Sequence, residues 1–338
     1  MFTRRGAITT GIIASGLAGA RVGPAHAASG DPALKLWYRQ PAETWVEALP
    51  IGNGRLAAMV FGGVARERLQ LNDDTLWGGG PYDPANPRAL EGIPRVRDLI
   101  EQARWVEARD FATASIMARP VRQMSYNALG DLFLDFEGVD AVDDYRRELD
   151  IDGALSSVRF NTGGAVHTRE AFVSAIDQVV AVRLTAGPGG LSFTAGFENP
   201  PRATAQAMGQ GRDTLVFAGH NGEQHGVPGA LRYETRLRAI PTGGRVSVQG
   251  GRLTVTGADS VVLLIAAATS YRSFRDVSGD PAARTRAAIA QAASKGWDAL
   301  KSDHQREHRR LFRKVAFDVG TTPAADRPTD GRVATTEA

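Results

Sequence analysis

The residue types best suited to chemistry cluster in one short run, Asn72 to Pro81 (NDDTLWGGGP), which holds Asn72, Asp73, Asp74 and Trp77 beside a flexible turn. A carboxamide, two carboxylates and an indole are groups that hydrogen-bond to sugars and stack on them, and paired carboxylates are the reagents of glycoside hydrolysis. Successive residues of a strand point to opposite faces, so Asp73 and Asp74 cannot easily flank one scissile bond if a strand continues through them. The competing assignment is a strand end closed by Asx turns, with Trp77 anchoring the loop; on the functional assignment Asn72, Asp73, Asp74 and Trp77 are candidate sugar or interdomain contacts. Residue types alone leave both open.

Three other groupings compete for attention. His304, Glu307 and His308 match an inverted zinc-protease motif, in which two His at i and i+4 share a helix face beside a Glu base. A third ligand would have to come from Asp318, Asp326, Asp330 or Glu337, and Arg306, Arg309 and Arg310 oppose a cation. The favoured assignment places both His on the apolar stripe of a helix, and no metal is expected. His220, Glu223 and His225 lie in the Gly-rich loop Gly219 to Gly229, which could hold a metal or a sugar, or could be a solvated turn. Gly52-Asn53-Gly54-Arg55-Leu56-Ala57 fits the dinucleotide pattern, but Pro50 precedes it and a strand-like run follows it, where that chemistry needs a strand before and a helix after. Asp143, Asp144 and Asp150 read as turn chemistry. No Ser nucleophile elbow or phosphate-cradling loop is present.

The elements that position these groups are mostly strands. Period-two alternation or short β-rich runs recur at 55–61, 68–72, 131–136, 155–160, 166–173, 178–184, 191–197, 214–218, 231–239, 245–249, 252–256 and 261–267. Gly-Gly pairs at 163–164, 189–190, 243–244 and 250–251 fit hairpin turns. The expected fold is therefore mainly β, a large antiparallel β-sandwich. Two stretches depart from it. Residues 94–118 begin at Pro94 and read as a helix or helical pair. Residues 281–313 carry Ile289, Ala293, Trp297, Leu300, His304, His308 and Leu311 at spacings of three and four, a single stripe on one helix face. After Gly320 the chain is polar and reads as a linker.

The 338 residues carry a formal charge of +3 and no Cys, which removes disulfides and thiolate metal sites. Arg4 and Arg5, a mildly apolar run to Ala20 and small residues at Ala25 and Ala27 predict a twin-arginine export signal over 1–27, cleaved after Ala27, and an exported, periplasmic or extracellular protein. Without Arg4, Arg5 and Arg21 the 40 basic residues become 37, equal to the 37 acidic ones. A neutral chain gives no support for a nucleic-acid partner. The apolar run is also too short to span a membrane.

Several ordered motifs carry a resemblance. Trp45 to Val64 (WVEALPIGNGRLAAMVFGGV), Glu67 to Trp77, Asp83 to Pro87, Tyr126 to Phe136 (YNALGDLFLDF), Tyr145 to Asp150, Arg169 to Ser174, Asp177 to Val179 and His304 to Gly320 resemble the N-terminal β-sandwich region of glycoside hydrolase family 95, the α-L-fucosidases. Pro328 to Arg332 resembles the start of the next segment, so the likeness runs over about 36–333, with Arg104 and Asn127-Ala128 as mild departures. The resemblance implies hydrolysis of terminal α-1,2-linked L-fucose by inversion, on a fucosylated glycan, without cofactor. It also implies that the general acid Glu and the water-activating Asn and Asp belong to a following (α/α)₆ barrel that this chain stops before, so no catalytic residue is assigned. The expected organisation is a signal at 1–27, a sandwich at 31–275 and a helical linker at 276–338. Inactivity of the chain alone is expected, with a stand-alone carbohydrate- or partner-binding module, or a small zinc hydrolase on His304 and His308, as alternatives. If Ile289, Trp297, Leu300 and Leu311 normally face the rest of such an enzyme, the linker helix is exposed and self-association follows.

Overall fold

Alternating apolar and polar side chains make strands with one face for a core and one for water, and such strands pair into two sheets in this chain. The computed structural model describes residues 34–335 apart from 140–141, 189, 200–203, 319 and 321. The export segment 1–27, Gly189 and Glu337 lie outside the described residues.

The nine-stranded antiparallel sheet is built, in spatial order, from β1 (Lys35–Tyr38), β6 (Asp143–Asp150), β7 (Leu155–Thr162), β8 (Ala165–Val173), β9 (Val180–Thr185), β16 (Ser260–Thr269), β13 (Arg232–Thr242), β12 (Thr214–His220) and β11 (Gln206–Gln210). The seven-stranded sheet runs β14 (Arg245–Gln249), β15 (Arg252–Ala258), β10 (Leu191–Glu198), β5 (Gly130–Asp135), β4 (Arg66–Asp73), β3 (Leu56–Val60) and β2 (Leu49–Gly52). Every strand run named from the sequence is found. Leu69 and Leu71 of β4, Leu132 and Leu134 of β5, Phe193 of β10 and Leu263 and Ile265 of β16 meet in the core between the sheets. A buried ion pair joins the sheets, Glu67 of β4 to Arg169 of β8 at 3.0 Å, and Gly62 N–H donates to the same carboxylate at 2.7 Å.

The apolar run of β16 is buried on both faces. Its Leu264 and Ala266 face outward with Phe172, Val179 and Ala181 and are covered by Ile289 and Ala292 of α3 (Pro281–Ala293) and by Trp297 and Leu300 of α4 (Trp297–Phe312). Trp297 and His304 flank the Phe172 ring, at centroid distances of 5.1 and 4.6 Å. Two expectations change. The stripe is interrupted at Gly296, which caps α4 in extended backbone, so two helices share it. The stripe is also turned onto the chain's own sheet: Ile289, Trp297 and Leu300 are buried and only Leu311 is exposed. The exposed face invoked for self-association does not exist at those three residues.

Residues after Gly320 do not form a bare linker. Helix α5 (Thr329–Ala334) returns to the edge strand β1, where Thr329 Oγ1 accepts from Trp37 N–H at 3.0 Å. The helical pair inserted between β4 and β5 is α1 (Ala89–Glu101) and α2 (Trp105–Ser115). Helix α1 starts earlier than Pro94, which lies inside it and not in its first turn. Asp143, Asp144 and Asp150 belong to β6 and not to turns flanking it.

Candidate functional site

Strand β3 pairs with β4 in the register Leu56↔Asp73 and Ala57↔Asn72, which sets Asp73 facing inward and leaves Asp74 outside the strand end. Asp73 is buried, and its carboxylate accepts from Arg55 Nη1 at 2.5 Å, from Thr75 Oγ1 at 2.6 Å and from Thr75 N–H at 3.1 Å. The Arg55 guanidinium also donates to Gln178 Oε1 and to the Ala267 carbonyl, tying the two sheets together. Asp74 is exposed; partial loss of hydration and the neighbouring Asp73 charge push its carboxyl above the usual range, against the pull of Arg55. The side chain of Asn72 makes no hydrogen bond among the described residues. Trp77 Nε1–H donates to the Asp74 carbonyl at 2.9 Å, and its ring meets Tyr126 edge to face at 5.1 Å. The run is thus a strand end closed by the Asx-type bond from Thr75 N–H to Asp73, with Trp77 anchored by its indole on the Asp74 carbonyl. The two carboxylates do not converge on one point.

Gly52 to Ala57 forms the β2–β3 hairpin. Asn53 Oδ1 accepts from Arg55 and Leu56 N–H, and Asn53 Nδ2–H donates to the Ser174 carbonyl at 3.0 Å. No helix follows to receive a pyrophosphate.

Among the described residues the zinc arrangement is not assembled. His304 Nε2 lies 3.0 Å from the Ala154 carbonyl and His308 Nε2 2.9 Å from the Ile151 carbonyl. A carbonyl only accepts, so both Nε2 atoms carry the proton. Glu307 is paired with Arg310 at 2.7 Å. Among the described residues no cluster of three or more His, Asp or Glu is placed to share a metal ion. Arg309 and Arg313 both reach Asp152, at 2.9 and 2.6 Å, and Arg313 first holds that carboxyl below its usual range. His304 is buried, and burial pushes its imidazole below the ordinary value.

The structure does bring together two loops that are far apart in sequence. Asn221 Nδ2–H donates to the carbonyls of Trp77 and Gly79 at 2.6 and 2.5 Å, and its Oδ1 accepts from Leu231 N–H at 2.9 Å. Gln224 accepts from Ser125 N–H at 2.9 Å and donates to Ser125 Oγ. A β-carbon added at Gly78 would come within 2.2 Å of Gln224 Oε1, so any larger residue there would displace the end of the Gln224 side chain. Between the loops lies a cavity of about 590 Å³ whose walls include Gly78, Tyr126, Asn127, His220, Glu223 and His225, with Tyr233 of β13 also lining it. His220, Glu223 and His225 were legible as a polar loop, and Tyr126 and Asn127 as part of a motif. Tyr233 was read only as strand, because nothing in its local sequence says which end of the sheet it occupies.

A family model described as "Glycosyl hydrolase family 65, N-terminal domain" matches residues 36–274. The chain is 31% identical over 313 residues to "Alpha-L-fucosidase 2" of Arabidopsis thaliana, a match covering 85% of this chain and 36% of that protein. It is 30% identical over 322 residues to "Probable alpha-fucosidase A" of Aspergillus niger, covering 88% of this chain and 39% of that protein. The chain therefore spans well under half the length of these curated relatives. Among solved structures, a putative kojibiose phosphorylase from human microbiome superposes with a TM-score of 0.49 at 7% identity, over 83% of this chain and 38% of that one.

Proposed function

Because the chain belongs to the family described as the N-terminal domain of glycosyl hydrolase family 65, we propose that it is the β-sandwich domain of an α-L-fucosidase-like glycoside hydrolase and has no hydrolytic activity alone. The observation that carries this reading is the pairing of coverage values. The match to a named α-L-fucosidase takes in 85% of this chain but 36% of the relative, so most of the relative's length has no counterpart in these residues.

The arrangement of carboxylates supports the same reading. Asp73 is consumed by Arg55 and Thr75 inside the sandwich, and Asp74 lies beyond the strand end with its side chain apart. Inverting hydrolysis needs two carboxyl groups about 6.5–9.5 Å apart on opposite sides of one bond, with room for water between them. On the resemblance to glycoside hydrolase family 95, the acid and base are assigned to a helical barrel outside these residues, acting by inversion on terminal α-1,2-linked L-fucose of a glycan. The sequence of 1–27 supports export by the twin-arginine route to the periplasm or beyond.

Two incubations with an α-1,2-fucosylated trisaccharide test this. The purified chain should release no fucose; turnover by it would overturn the non-catalytic role. A longer protein carrying this chain at its N-terminal side should release L-fucose first as the β-anomer, and first appearance of the α-anomer would refute inversion.

A further inference from the structure

We infer that the cavity between the Asn72–Pro81 turn and the Gly219–Gly229 loop is a binding site for a neutral saccharide, carried by the sandwich itself. The inference rests on the glycan reading above for its ligand class, and on four observations for the site.

The first is size. A volume of about 590 Å³ falls within the range of small-molecule sites, about 300–1,000 Å³. The second is that the walls are built before any ligand arrives. Asn221 clamps Trp77, Gly79 and Leu231, and Gln224 clamps Ser125, so the cost of ordering these loops is met within the protein.

The third is unused polar capacity. The side chains of Asn127, His220 and His225 line the cavity and make no hydrogen bond among the described residues; Asn127 is half-buried, and the two imidazoles are exposed and open to a ligand. Tyr233 is 3% exposed, and its hydroxyl has no hydrogen-bond partner among the described residues. A buried hydroxyl without a partner is costly, and native proteins rarely leave one so without cause. A sugar offers hydroxyls that both donate and accept, which suits a mixed set of carboxamide, imidazole and phenol. Burial pushes the phenol of Tyr233 up, and the phenol of Tyr126 is pushed up to about 12, so both keep their protons at neutral pH.

The fourth is charge. Among the described residues no Lys or Arg lines this cavity, and the one carboxylate there, Glu223, accepts from Gly226 N–H at 2.8 Å. An anionic ligand would find no Lys or Arg among the described residues and would face Glu223. A neutral ring can instead rest its apolar edge against Tyr126, which is held in place by its own hydroxyl donating to the Asp73 carbonyl at 2.9 Å.

The test uses the full chain and ligand-observed saturation-transfer NMR with three probes: α-1,2-fucosylated lactose, lactose and glucose 6-phosphate. Saturation of at least one neutral sugar and not of the sugar phosphate is expected. Asn127→Ala, His220→Ala and Tyr233→Phe should each weaken that binding roughly three- to tenfold without lowering the thermal midpoint. Tyr233→Phe is the sharpest variant, since a purely structural tyrosine with an unpartnered hydroxyl would lose nothing by the change. No transfer from either neutral sugar, preference for the phosphate, or binding unchanged in all three variants would each overturn the inference. Failure of a longer protein to release fucose would retract the fucosidase reading and leave a positive binding result standing. Normal fucose release with no binding by this chain would retract only the cavity.

Discussion

Asp73 and Arg55 illustrate how a residue pair that looks reactive becomes structural once its partners are known. The Asp73 side chain is 1% exposed and that of Arg55 33%, so the carboxylate depends on the guanidinium for compensation while the guanidinium keeps some access to water. Arg55→Ala should therefore destabilise the fold by about 2–4 kcal/mol, a little under the full cost of breaking a buried pair. Urea denaturation measures it, and an unchanged midpoint would show that Asp73 has another source of compensation. His304 gives a pH signature. Burial lowers its pKa in the folded chain, so the folded state resists taking up a proton that the unfolded chain accepts near pH 6.5. Its stabilisation is complete above that value and is lost as pH falls through the lowered folded one. Comparing urea midpoints of the wild type and His304→Phe across pH 7 to 4 should show this acid-side loss in the wild type alone. The opposite placement of Asp73 and Asp74 was legible from period two. Arg55 as a partner was not, because it depends on the β3–β4 register and on the reach across to Ala267.

At the scale of elements, alternation revealed most strands, the edge strand β14 among them, and missed β1, β2, β6 and β11. Strands β1, β2 and β11 each end a sheet. An edge strand needs only one paired side, which is why β2 tolerates Pro50 with its missing N–H, and β11 can read Gln-Ala-Met-Gly-Gln. Strand β6 was hidden by its charges, yet its Arg147 is 1% exposed, donating to the Gln40 and Glu47 carbonyls and lying over the Tyr38 ring. The helix stripe was legible in its spacing, and its covering surface was not, since sequence spacing gives a face but not its neighbour. Because α3 and α4 share a core with β16, they should unfold together with the sandwich. Trp297→Ala should cost about 3–5 kcal/mol, and far-UV circular dichroism and tryptophan fluorescence should report one coincident transition in the wild type. A separate early loss of helix would show that the helices are an appendage.

For the whole molecule, burial of the stripe moves the expected sticky surface to its far end. Leu311, Val315 and Phe317 are 54, 82 and 88% exposed, a short apolar strip beyond the part of α4 that the sheet covers. Any self-association is expected to run through that strip. A rise of apparent mass with concentration in sedimentation velocity should disappear in Val315→Lys with Phe317→Lys, and its persistence would place the contact elsewhere. The carboxamide latches have a different, slower consequence. The chain holds two Asn-Gly pairs, Asn53-Gly54 and Asn221-Gly222, the dipeptide in which the following amide nitrogen most readily attacks the side-chain carbonyl and expels ammonia. In both, that carboxamide is a structural clamp: Asn53 closes the β2–β3 hairpin against Ser174, and Asn221 closes the cavity wall. Folding restrains the attack by holding the amide in place, but where it succeeds at Asn221 and water then opens the resulting cyclic imide, a negative carboxylate replaces the donor facing the carbonyls of Trp77 and Gly79. Chemical ageing at Asn221 would thus loosen the cavity wall, and at Asn53 the β2–β3 hairpin of the sandwich.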